Sequence, residues 1–112
     1  MIELTQQYLR EALDYDPETG LFTWREDRPW FHFKNIGAWR TWTARYAGKA
    51  AGMTDYHGYI VIKTSGKGNK AHRIAWLYVH GQMPNQIDHI NGIKHDNRIE
   101  NQRDRDWETM YP

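Results

Sequence analysis

"QIDHINGIKHDNRIENQRDRDWETMYP", residues 86–112, sets an acid and a histidine side by side at the start of a long polar stretch. Asp88 and His89 are chain neighbours, so on an extended strand their side chains point to opposite faces. Where such a strand ends and twists, one of them can hold a divalent cation while the other addresses a water. A carboxylate suits a hard ion such as Mg²⁺ or Mn²⁺. Imidazole, with an unperturbed pKa of about 6.5, is mostly neutral near pH 7 and can take a proton from that water. These are the two parts that one-metal hydrolysis of a phosphodiester requires. An Asp-His pair alone is common, and its meaning depends on the chain around it.

The surrounding chain is short and contains no cysteine. At 112 residues it is one domain's worth. Six Trp and seven Tyr supply apolar area for a modest core despite a mean hydropathy of -0.92. With no cysteine, disulfides and thiolate metal sites are excluded, and any metal falls to oxygen and imidazole ligands. No apolar run approaches the roughly 18 residues of a membrane span, and "MIELTQQYLREALDYD" is acidic where a leader needs a basic start. The expectation is a soluble, cytoplasmic protein.

Charge is distributed in blocks. Lys and Arg against Asp and Glu number 1 against 5 in residues 1–24, 10 against 3 in residues 25–73 and 4 against 6 in residues 74–112. A basic middle between acidic ends points to a phosphate backbone as partner, hence DNA. Within it, "GYIVIKTSGKGNKAHR", residues 58–73, reads as a β-hairpin with Lys63, Lys67, Lys70 and Arg73 upon it. Upstream, Trp39, Trp42 and Tyr46 recur at helical spacing, either as a stripe packed on the core or as a stacking platform for bases, with Arg40, Arg45 and Lys49 beside them for phosphate.

The remaining elements are signalled locally. Thr5 before "QQYLREALD" is an N-cap, Leu4 and Leu9 suit a hydrophobic staple, and Leu9, Ala12 and Leu13 share a face. "DPETG" is a turn leading into the strand "LFTW", and "RYAGKAAGM" is linker-like. "IAWLYVHG" is a short apolar helix stopped by Gly81, with His80 as a cap or surface residue.

"IDHINGIKHDNRIEN" in its whole length resembles the HNH endonucleases of phage and intron-homing type. "LDYDPETGLFTW", "AGMTDYHGYIVIK" and "AHRIAWLYVHGQMP" resemble, in the same order, the segments that precede the motif in phage members, so the resemblance runs over roughly residues 4–103. It implies a small α+β domain over residues 1–112: an N-terminal helix and strand in 1–24, a basic DNA-contacting region in 25–85, and a ββα-metal motif in 86–112. It also implies a DNA endonuclease encoded by phage or prophage and acting in a bacterial host, nicking as a monomer or cutting both strands as a homodimer. Carried over by residue, Asp88 matches the metal ligand, His89 the general base and Asn101 the amide that ties the loop and orients the histidine. Arg98 falls in a "DNR" segment as a phosphate clamp, after Asp96 and Asn97 as turn formers. His95 has no counterpart and reads as a surface residue.

After Asn101 the pattern departs. Gln102 stands where the family has an apolar residue, "RDRD" occupies the second strand, and Met110 stands where a final His or Asn ligand belongs. Methionine is a soft thioether and a poor ligand for a hard ion. With the sequence ending at Pro112, the last helix is expected to be barely one turn, so the motif is truncated or degenerate there. Two readings stay open: Asp106 or Glu108 completes the metal site, or the protein binds DNA with an impaired nuclease core.

Overall fold

In the computed structural model, residues 4–64 and 66–104 are described. Thr5 caps the first helix as its sequence signals: its hydroxyl accepts from the Tyr8 N–H at 3.1 Å, opening helix α1 (Gln6–Ala12). The helix ends before Leu13, which is already extended at φ -131° and ψ 145°. Leu13 opens strand β1 (Leu13–Asp16), paired antiparallel with β2 (Leu21–Trp24) through the expected "DPETG" turn. Periodicity alone puts Leu13 on the helix face, but pairing with β2 takes it into the strand. In β1, Leu13 and Tyr15 point inward and Asp14 and Asp16 outward, the two-residue alternation of a half-buried strand.

The stretch read as a linker is a third rail of this hairpin. Trp24 N donates to Lys49 O, Gly48 N to Trp24 O and Ala51 N to Phe22 O, so residues 48–51 run along the edge of β2. Backbone pairing of this kind needs no side-chain alternation, which is why the sequence shows it so weakly. Helix α2 (Ile36–Tyr46) is capped by Asn35 and carries the expected aromatic stripe, but only one of its rings packs on the main core: Trp42 meets Trp24 edge-on at 5.2 Å, while Tyr46 is exposed.

Between these elements lies a buried cation. Arg28 is 5% exposed, with its guanidinium over the rings of Phe33 and Trp42 at 4.6 Å each. It donates to Tyr8 Oη at 2.6 Å and to His32 Nδ1 at 3.1 Å. His32 Nε2 in turn meets Glu11 Oε1 at 3.0 Å. Because His32 accepts from Arg28 on one nitrogen, it is a neutral imidazole donating to Glu11 from the other. Arginine suits such a box because its planar cation stacks on aromatic faces and is weakly hydrated.

The basic hairpin forms as read, with strands β4 (Ile60–Thr64) and β5 (Lys67–Lys70), and a short β3 (Met53–Thr54) pairs on the other edge of β4. Helix α3 begins at Ala71 and runs to His80, stopped by Gly81 in the left-handed region at φ 82°. Arg73 therefore belongs to α3 and not to the ribbon. Leu9, Leu13, Ile62 and Ile74, all fully buried, bring α1, β1, β4 and α3 onto one core. The final pair is β6 (Ile87–His89) with β7 (Gln102–Asp104), antiparallel.

Strand β7 forms although it lacks the apolar residues such a strand usually carries. Its inward side chains, Gln102 and Asp104, are buried: Gln102 Nε2 donates to Asn97 O at 3.1 Å while its Oε1 has no hydrogen-bond partner among the described residues, and Asp104 Oδ2 accepts from Asn85 N at 3.1 Å. A buried polar group that finds its partner costs little. The expected final helix, Asp106, Glu108 and Met110 lie outside the described residues.

Candidate active site on strand β6

Strand β6 is three residues long and ends at His89, where Gly92 N returns to His89 O and Ile90 N reaches Asn101 O. Strand alternation puts Asp88 and its cross-strand partner Arg103 on one face, and His89 with Gln102 on the other. Asp88, with a side chain 28% exposed, has Arg103 Nη2 at 3.6 Å from its Oδ2.

His89 sits in a cluster of rings. Its centroid is 4.6 Å from that of His72, edge-on, and 6.0 Å from that of Tyr59. His72 is 7% exposed, and burial, then the nearby His89, Lys70 and Arg73, push its imidazole down to about 4. Tyr59 carries two ammonium groups on its ring, Lys70 at 4.1 Å and Lys94 at 5.2 Å. His89 Nε2 lies 3.0 Å from Oδ1 of Asn97, a residue 1% exposed. An amide oxygen only accepts, so Nε2 carries the hydrogen, and in the neutral ring Nδ1 then has the lone pair.

Asn101 closes the loop after β6. Its Oδ1 accepts from Asn91 N at 3.0 Å, and its Nδ2 donates to Asn91 Oδ1 at 2.9 Å and to Asp96 O at 3.0 Å. The contact to His89 comes from Asn97 instead, a residue the sequence marks only as a turn former. Arg98 is drawn into the same loop: Nε and Nη2 fork Asp96 and Nη1 reaches Glu100 at 2.8 Å. The Arg98 guanidinium holds the Asp96 carboxyl well below the usual carboxylate range.

The other sequence-named cations spread over four elements, α2, β4, β5 and α3, with Lys49 between elements. Arg40 and Arg45 are exposed on α2, Lys49 lies just beyond it, and Lys63 and Lys67 are exposed on β4 and β5. Arg73 donates to Pro84 O at 3.0 Å and is half-buried. His95 is exposed, as expected. Lys70 alone of these cations touches the ring cluster around His89. His72, Tyr59, Lys94 and Asn97 were missed as site residues. Their only sequence signal is that each is polar or aromatic, Lys94 and Asn97 within the motif and Tyr59 and His72 in the segments that precede it.

Among the described residues no three His, Asp or Glu side chains converge as a metal cluster. What they supply is one partly exposed carboxylate, Asp88. Mg²⁺ is commonly held by one or two carboxylates with waters and substrate phosphate oxygens completing the shell, and Asp88 suits that mode.

Residues 69–103 match the family model described as HNH endonuclease. This segment is similar to the HNH endonucleases. No curated protein and no solved structure matches the chain. The HNH segment covers about a third of the sequence and runs from β5 through α3, β6 and the Asn101 loop into β7. Asp88, His89, Asn97 and Asn101 all fall inside it, and hairpin β1–β2 and helix α2 fall outside. The HNH relation points to a nuclease-type, DNA-directed role. No helix among the described residues is long and apolar enough to cross a membrane.

Proposed function

We propose that the protein is a phage-type HNH endonuclease that hydrolyses phosphodiester bonds of DNA with one divalent metal ion. The observation that carries this reading is the imidazole of His89, held through Nε2 by a buried amide so that Nδ1 keeps its lone pair, one residue from Asp88. In the reaction His89 Nδ1 takes a proton from water as its oxygen bonds to phosphorus, and the bond from phosphorus to the 3′ oxygen breaks. Asp88 would hold the ion, Mg²⁺ or Mn²⁺, and Asp106 or Glu108 would be the second carboxylate. That ion, when bound, supplies charge stabilisation at the scissile phosphate and the leaving oxygen. Asn101 keeps the loop after β6 closed. Lys63, Lys67 and Lys70 track the backbone along the hairpin, with Arg40, Arg45 and Lys49 on a second contact surface. Arg73 and Arg98 reach phosphate only by exchanging their present partners. One such site nicks one strand, and a homodimer would break the duplex.

A DNA-binding protein with an impaired nuclease core is the competing reading. It is favoured by Arg103, a cation 3.6 Å from the proposed metal ligand. Nicking of supercoiled plasmid in Mg²⁺ or Mn²⁺, abolished by EDTA, is the result expected of the endonuclease. Tight DNA binding with no nicking in either ion would establish the competing reading.

A further inference from the structure

We propose that Asn97 is a positioning residue that decides which ring nitrogen of His89 faces the substrate, and that hairpin β1–β2, outside the HNH-matched segment, seats it there. The proposal takes the meaning of the outward nitrogen from the nuclease reading above, while the seating stands on geometry alone.

Asn97 is held at both ends. Its side-chain oxygen meets His89 Nε2, and its backbone carbonyl accepts from Tyr15 Oη at 2.6 Å and from Gln102 Nε2 at 3.1 Å. With that carbonyl fixed twice and the residue 1% exposed, the side-chain amide has little room to leave the ring. The hairpin turn presses on the same peptide: a Cβ added at Gly20 would lie 2.4 Å from Asn97 C and 2.3 Å from Arg98 N, so the turn approaches this closely only with glycine. Burial raises the Tyr15 hydroxyl to about 12, which keeps it a donor. A histidine acts through one tautomer, and the partner of the inner nitrogen selects it.

The test uses the full chain labelled with ¹⁵N at its imidazoles, near pH 8, where an unperturbed imidazole is neutral. Ring-nitrogen shifts should show His89 protonated at Nε2. Asn97→Asp keeps an accepting oxygen and should preserve that pattern. Asn97→Ala should mix the tautomers and lower kcat for plasmid nicking about 10- to 100-fold, as for orienting partners of metal-bound histidines, with half-saturating DNA unchanged. Tyr15→Phe should move both readouts the same way, with kcat down about fivefold. Unaltered His89 ring signals in a folded Asn97→Ala protein would overturn the proposal. If Asn97→Ala does not fold, Tyr15→Phe decides in its place: unchanged signals and unchanged kcat would remove the hairpin's part. Loss of nicking through weaker DNA binding alone would also contradict it. Should the wild type fail to nick while its ring signals behave as stated, the nuclease reading falls and the seating of His89 stands.

Discussion

His72 is the residue whose chemistry is most displaced from its ordinary state. Its folded imidazole titrates at about 4 against 6.5 when free, because burial comes first and the neighbouring His89, Lys70 and Arg73 add to it. Between those values the unfolded chain binds the proton that the folded chain refuses. Stability is therefore full above about 6.5, falls as pH drops through the window, and is lost by about 4. The loss attributable to this residue is on the order of 3 kcal/mol. Urea unfolding at pH 7 and pH 4.5 should show the drop, and His72→Gln should reduce it, with His32 and His80, also held below 6.5 by burial, accounting for the remainder. Asp96, whose carboxyl sits below its ordinary 3.8, loses its contribution only as pH falls below that value, outside the window. Equal pH slopes in wild type and variant would contradict the placement of His72. None of this is visible in the letters: "AHR" reads as the end of a hairpin strand, and only the fold carries His72 across to His89.

At the scale of elements, the sequence is most legible where a local rule fixes a boundary. Thr5 starts α1 because its hydroxyl finds a free N–H, Gly81 stops α3 because it can take φ 82°, and the β4–β5 ribbon follows from alternation and a tight turn. It is least legible where one element leans on another far away. Strand β1 looks like a continuing helix until its pairing with β2 is seen, and the docking of the β1–β2 turn on Asn97 has no local sign. That docking has a mechanical consequence at Gly20. Gly20→Ala forces a Cβ to within 2.3 Å of Arg98 N at φ 76°, and should cost at least about 2 kcal/mol. Gly66→Ala, at φ 80° with nothing within 4 Å, meets only the backbone strain and should cost about 1 kcal/mol. Chemical denaturation of the two variants separates contact from conformation, and equal losses would mean that the turn does not bear on the loop.

For the whole molecule, charge blocks and motif together point to DNA, and the sequence carries that reading further than it carries the site. The basic middle block resolves into two surfaces, α2 and the hairpin, and its cations are not equivalent: Lys63 and Lys67 are exposed, whereas Arg28 is buried and Arg25 is paired with Asp14 and Asp27. On duplex DNA each phosphate contact contributes about -0.9 to the slope of log K against log salt. Replacing Lys63 and Lys67 together by Ala should therefore make the slope shallower by about 1.8. An unchanged slope would move the contact surface off the hairpin.

The central claim is that His89, turned outward by the loop behind it, activates water for strand cleavage. Single-turnover nicking of supercoiled plasmid by wild type and His89→Ala, in Mg²⁺ and at matched DNA occupancy, tests it most directly. Loss of a general base is expected to slow cleavage about 10²- to 10⁴-fold with binding intact. Metal-dependent nicking at the wild-type rate by His89→Ala would contradict it.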